Sequence, residues 1–157
     1  MIAMSTLFRP ELCFSSLDLP DAGAVLDLLA GALREQGLVH PSFAGAVRRR
    51  EATSPTGLPL ARRKVAVPHA DPEHVIAPAV AAASLARPVL FGEMGNPDSR
   101  LEIDVVLMLA LRDRESVQRE LVRLVETFQD PDFVDRVHAA PDPRRLFELI
   151  SGGEARP

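Results

Sequence analysis

Cysteine, lysine and long apolar runs are scarce in this sequence, and each shortage removes a class of protein. Among 157 residues only Cys13 is a cysteine. No intramolecular disulfide can form, and no cysteine-rich metal site can be assembled. No stretch reads as a membrane span. The longest apolar tract, Val75 to Phe91, is broken by Pro78, Arg87 and Pro88, and Val105 to Leu111 is far too short. The first residues, Met1 to Pro10, lack the charged start and apolar run of a secretory signal, so the expected location is the cytoplasm. An excess of positive charge is missing too: the formal net charge is −4, which argues against a large nucleic-acid footprint. Of the 18 basic residues, Lys64 is the one lysine and 17 are arginine. Together with abundant alanine and proline, this reads as the base composition of a GC-rich genome, not as mechanism.

What remains is an ordinary globular composition, 46% hydrophobic and 25% charged. The chain has no internal repeat and no low-complexity linker. Its length suits one compact domain over residues 1–157, able to bury a core without metal or disulfide.

Hydrophobic spacing supplies the elements. Glu11 to Leu17 reads as a first strand. Asp18 offers a helix cap, Pro20 an opening turn, and apolar residues at helical spacing run from Ala22 to Leu33, with Gly37 as the stop. His40-Pro41 opens a shorter helix that ends in Arg48-Arg49-Arg50. Thr53 to Leu60 is loop chemistry. Val65 to Val67, Ala79 to Leu85, Pro88 to Phe91 and Ile103 to Leu111 read as strands, the last apolar enough to be covered on both faces. Glu115 to Phe128 is an amphipathic helix, and short helices are expected over Pro131 to His138 and Pro143 to Ile150. Strands flanked by helices predict an α/β fold, a mixed sheet covered by helices.

The chemistry concentrates between Arg50 and Asp71. His69 follows a short apolar strand and a proline and precedes Asp71-Pro72-Glu73, a turn or helix start. Ends of sheet strands are where ligands bind in α/β folds, and a helix N-terminus beyond offers N–H groups to an anion. A neutral imidazole can serve there as nucleophile, base or ligand; equally, it can be a turn histidine satisfied by backbone or water. Arg50 has a planar charged fork suited to phosphoryl or carboxylate oxygens, or it is one solvated arginine of three. Ser54-Pro55-Thr56-Gly57 lacks the Gly-Lys-Ser/Thr ending of a nucleotide-binding loop. Arg62-Arg63-Lys64 reads as solvated surface, Cys13 as a small buried hydrophobe, and His40 and His138 as helix-boundary residues. His74 reads as a surface histidine or a neighbour of His69. A metal site from His69, Asp71, Glu73 and His74 is a weak reading, because Pro72 interrupts the group and no second cluster exists.

The segments Arg50-Glu51, Pro55-Thr56-Gly57-Leu58-Pro59 and Val65-Ala66-Val67-Pro68-His69-Ala70-Asp71 together resemble the IIA component of the phosphoenolpyruvate-dependent sugar phosphotransferase system, fructose/mannitol type. Of these, Pro55-Thr56-Gly57-Leu58-Pro59 looks most like the galactitol-specific branch, and so do Pro88 to Gly95 and Val105 to Leu111. The likeness runs over about residues 10–150, the expected core of the domain. It implies the mannitol-type IIA fold, a three-layer sandwich. It also implies that His69 is the phosphorylated histidine, with Arg50 near its oxygens. The donor would be the histidine-containing phosphocarrier protein; the acceptor would be a cysteine of a IIB component, itself serving the membrane IIC permease. No cofactor, metal, nucleic acid or direct membrane insertion is implied. A IIB unit needs its own phosphorylatable cysteine, which Cys13 does not supply, so the acceptor is expected on another polypeptide. Where mannitol and fructose members commonly carry a second histidine, this chain has Gln118. Gln118 can hydrogen-bond a phosphoryl oxygen but carries neither charge nor proton; it can equally be the edge of an apolar helix stripe. The alternative function is a regulatory IIA-like module that signals phosphorylation state by binding a partner. A third is a small metal-dependent hydrolase.

Overall fold

The computed structural model describes residues 6–152. At its centre are two long strands, β4 (Ala79–Glu93) and β5 (Asn96–Ala110), which form an antiparallel hairpin. The connection is the pair Met94-Gly95, with Gly95 in the left-handed region at φ +78°. β1 (Phe8–Leu17) lies parallel to β4 on its outer side, with Cys13 opposite Ala82. β3 (Val65–Ala66) lies parallel to β5, with Val65 opposite Val105. β2 (Gly57–Leu58) pairs antiparallel with β3 and meets the end of β4 at Glu93. The five-stranded sheet is therefore mixed, and β2, β3, β5 and the end of β4 close on one another.

Strand periodicity explains the two cores. Along β5, Val106, Met108 and Ala110 face one side, with Ala79, Ala81 and Ala83 from β4, under helices α1 (Ala22–Glu35) and α2 (Phe43–Thr53). Val105, Leu107 and Leu109 face the other, with Val80 and Ala82, under α3 (Arg114–Thr127), α4 (Pro131–Ala139) and α5 (Pro143–Ile150). A continuous apolar run suits a strand buried on both faces, and the result is the expected three-layer α/β sandwich. The alanines of β4 keep the sheet thin where the helices press on it.

Local differences from the sequence reading have local causes. Asp21, not Asp18, caps α1, accepting from the Ala24 amide at 2.9 Å; Asp18 pairs with Arg87 at 2.6 Å. The two strands expected around Pro88 are one. The β4–β5 ladder shifts register between Ser84 and Val89, and Pro88, which has no amide hydrogen, sits in that irregularity. α2 starts at Phe43, not His40, and runs past Arg50 to Thr53 until the Ser54-Pro55 step ends it. The loop expected over Thr53 to Leu60 contains β2. Gly37 does stop α1, at φ +73°. Arg62 and Arg63 are exposed, as expected of a solvated cluster, and there they also pair with acids: Arg62 with Asp132 and Asp135 of α4, Arg63 with Asp104 and Asp135. Among the described residues, no helix is long and apolar enough to cross a membrane.

Cys13 is buried, and burial, with Glu11 nearby, pushes its thiol up to about 12. A neutral buried thiol is a poor nucleophile. Cys13 should resist iodoacetamide at neutral pH in the folded protein and react on denaturation; equal rates in both states would contradict the burial.

Candidate functional site

Three elements bring the candidate residues together. The chain leaves β3 through Val67 and Pro68 and keeps running beside β5: the Leu109 amide donates to the Pro68 carbonyl at 2.9 Å, and His69 bridges to Leu109. After Ala70 and Asp71, a short 3-10 turn at Pro72–His74 carries the chain away. α2 delivers Arg50 from one side, and the first turns of α3 deliver Arg114 and Gln118 from another. Arg50, His69, Asp71, Arg114, Gln118 and Leu121 line one cavity of about 480 Å³.

His69 is 6% exposed, and its Nδ1 lies 2.9 Å from the Val67 carbonyl oxygen. A carbonyl only accepts, so Nδ1 carries the hydrogen and Nε2 keeps its lone pair. Burial holds the imidazole below its ordinary pKa; the Val67 hydrogen bond works upward, the Arg50 charge downward and Asp71 upward. The ring is therefore neutral around pH 7, with the nucleophilic nitrogen specified by its partner.

Arg50 makes one weak contact, Nη1 to Asp71 Oδ1 at 3.3 Å, with both side chains about two-fifths exposed. Its Nε is buried and makes no hydrogen bond among the described residues. Most of its donor fork is unspent beside His69. Gln118 is exposed on α3, one turn beyond Arg114, and positions four apart share a helix face. Arg114 forms no ion pair among the described residues, so the cavity has a cation on α3 as well as on α2.

The loop between α2 and β3 is tightly fitted. A Cβ on Gly57 would lie 2.6 Å from the Gly92 carbonyl oxygen, so only glycine lets β2 approach the end of β4. Glu51, next to Arg50, accepts from the Thr56 amide and the Thr56 hydroxyl, each at 2.9 Å. Burial raises the Glu51 pKa, and the two Thr56 bonds oppose that shift. The same hydroxyl accepts from the Val67 amide at 3.2 Å.

The sequence reading placed His69, Arg50 and Gln118, and all three lie on this cavity. It did not single out Arg114, although its spacing from Gln118 was a usable signal. It also left the Glu51–Thr56 contact unread, although both residues stand in the segments that carry the family resemblance. The other histidines have different surroundings. His74 Nδ1 is 2.8 Å from Ser42 Oγ, His138 Nε2 is 2.9 Å from the Leu85 carbonyl oxygen, and the His40 amide donates to the His74 carbonyl. No group of three or more His, Cys, Asp or Glu able to hold a metal occurs among the described residues.

Residues 6–152 match the family model described as phosphoenolpyruvate-dependent sugar phosphotransferase system, EIIA 2. The chain is 25% identical over 128 residues to the galactitol-specific EIIA component of the phosphotransferase system of Escherichia coli strain K12, covering 82% of this chain and 85% of that protein. Its fold matches the mannitol-specific cryptic phosphotransferase enzyme IIA of Escherichia coli with a TM-score of 0.76 at 20% identity, covering 97% and 100% of the two chains. It also matches the Escherichia coli mannitol enzyme IIA solved in complex with phosphorylated enzyme IIB, with a TM-score of 0.75 at 22% identity over 93% and 99% of the chains. With nearly the whole described chain inside the family model, the protein belongs to the EIIA 2 family of the phosphoenolpyruvate-dependent sugar phosphotransferase system.

Proposed function

We propose that the protein is a cytoplasmic phosphocarrier that takes a phosphoryl group on Nε2 of His69 and passes it on to a IIB cysteine. The observation that carries this is the Nδ1–H bond to the Val67 carbonyl, which leaves Nε2 as the free lone pair beside the unspent donors of Arg50. Phosphoryl transfer needs an in-line nucleophile and a cationic cradle for three equatorial oxygens, with little other covalent machinery.

In the first step, Nε2 attacks phosphorus on the histidine-containing phosphocarrier protein. The new N–P bond forms as the donor's N–P bond breaks, and the donor imidazole leaves with its electron pair. The His69 Nδ1 proton stays in its bond to Val67. In the second step a cysteine thiolate attacks the same phosphorus, and an S–P bond replaces the N–P bond. Arg50 meets the oxygens in both steps; Gln118 donates one hydrogen bond from α3. The IIB partner is supported by the related mannitol enzyme IIA having been solved with phosphorylated IIB. The sugar is recognised elsewhere, since only proteins and a phosphoryl group meet His69.

The test is incubation with labelled phosphoenolpyruvate and the general phosphotransferase proteins, followed by mapping of the acid-labile phosphate. Label on His69 Nε2 supports the reading; label on another residue, or none, overturns it. Discharge of that label by a IIB protein separates onward transport from a purely regulatory module.

Arg50→Ala should slow acceptance by roughly 100- to 1,000-fold, the usual effect of removing one preorganised donor at a developing charge. The fold should survive, because a half-exposed pair such as Arg50–Asp71 is worth at most about 1 kcal/mol. An unchanged single-turnover rate would remove Arg50 from the reaction.

A further inference from the structure

Glu51 is a half-buried carboxylate that the transfer chemistry leaves unused. Both of its oxygens are engaged, and both by Thr56. Thr56 is 2% exposed. Its hydroxyl has a single proton, which goes to the carboxylate; one of its two lone pairs takes the Val67 amide hydrogen at 3.2 Å. The Thr56 carbonyl takes a share of the same hydrogen at 3.3 Å.

The next link is conformational. Val67 precedes Pro68, and a residue before proline is confined to extended backbone. With that freedom removed, fixing the direction of the Val67 N–H also fixes the direction of its C=O. That carbonyl is the acceptor for His69 Nδ1–H. Pro68 contributes no amide hydrogen, and its carbonyl is held by the Leu109 amide. The path from helix to imidazole therefore has no slack residue: Glu51, Thr56, Val67, His69.

From this chain of contacts we infer that Glu51 is a positioning residue for His69, setting its tautomer and ring orientation through Thr56 and the Val67 backbone. It touches neither the phosphoryl group nor the nucleophile. A loop that merely needed satisfying could use either Thr56 donor. Here the carboxylate takes both, and by fixing the O–H direction sets where the two hydroxyl lone pairs point. The inference rests on His69 being the phosphoryl acceptor only for its kinetic consequence; the tautomer is a property of the unphosphorylated protein.

The experiment compares the wild type with E51Q, T56V, T56S and the double variant E51Q/T56V. Two readouts are used: the single-turnover rate with the phosphorylated histidine carrier, and the nitrogen-15 shifts of the His69 imidazole. E51Q keeps one acceptor and turns a donor toward the other Thr56 hydrogen; T56V keeps the amide bond and deletes the hydroxyl. Each single variant is expected to slow acceptance by about ten- to hundredfold, the scale of a small misplacement of a reacting group. Each should also pull the His69 shifts from one tautomer toward a mixture. The double variant should be no slower than the worse single, because both break one path. T56S should recover most of the rate that T56V loses.

Unchanged His69 shifts in both E51Q and T56V would overturn the inference, as would multiplicative losses in the double variant. If E51Q does not fold, the T56V and T56S pair decides alone. Should the shifts move while none of the proteins, wild type included, accepts phosphate, the positioning role stands and the phosphocarrier reading fails.

Discussion

His69→Ala is expected to end phosphoryl acceptance outright, with no acid-labile phosphate detectable after incubation with phosphoenolpyruvate and the general proteins. The loss should be complete because no other histidine can substitute. His40, His74 and His138 do not line the cavity; His74 is tied to Ser42, and His138 to the Leu85 carbonyl midway along β4. The variant should still fold. His69 lines a cavity, so its removal leaves no sealed void, and the lost Nδ1 bond to Val67 is worth about 1 kcal/mol. Labelling of this variant at near wild-type extent would place the acceptor elsewhere.

The same variant carries a signature in pH. The lowered pKa of folded His69 means that the unfolded chain binds the proton more readily. Unfolding therefore takes up a proton once the pH falls below the ordinary imidazole value of about 6.5, and stability declines toward acid. Above that value both states are neutral and the effect vanishes. His69→Ala should lose less stability than the wild type between about pH 7 and pH 5. Identical slopes in denaturant titrations at those pH values would show the ring to be unperturbed.

Phe43→Ala is expected to be the costliest single truncation near the site, at roughly 3–5 kcal/mol. Phe43 is completely buried, 0% exposed, in the first turn of α2. Little else fastens that helix. Its N-cap residue Ser42 makes no capping bond, having its hydroxyl on His74, and only Phe43, Ala46 and Val47 are buried along it. A domain of this size has about 5–15 kcal/mol in all, so the variant should unfold at much lower urea concentration. Because α2 carries Arg50 and Glu51, protein that remains folded should also accept phosphate slowly. A midpoint change equivalent to less than about 1.5 kcal/mol would mean that neighbouring side chains close the hole.

The layer architecture was readable because periodicity and burial coincide in the sheet. Val105 to Leu111 has no polar face, which only a strand between two helix layers requires. Helix limits were readable where caps are local, at Gly37 and in the stripe of α3. They failed where the competition is tertiary: Asp18 has as good a capping side chain as Asp21, but Arg87 holds it. Pro88 looked like a strand break because the register shift that accommodates it belongs to the partner strand as much as to its own. At the site, Val-Ala-Val-Pro-His marked a strand ending at a histidine, and the family resemblance gave Arg50 and Gln118 their places. Glu51 and Thr56 stand in the segments that carry that resemblance, but their contact could not be read from them. Their importance lies in a contact between a helix, a loop and a strand, and nothing in the spacing of a glutamate and a threonine announces it.

The Pro68–Leu109 hydrogen bond has a consequence for the order in which the molecule assembles. The β4–β5 hairpin joins neighbouring stretches through a two-residue connection and can zip early, whereas seating β3 on β5 closes a loop of some forty residues. His69 acquires its burial and its fixed ring only at that later closure. A chain caught with its hairpin formed and β3 undocked would already have its central strands and still lack a nucleophile. Recovery of phosphoryl acceptance during refolding should therefore lag behind the far-ultraviolet circular dichroism signal, reporting a later closure than that of the hairpin.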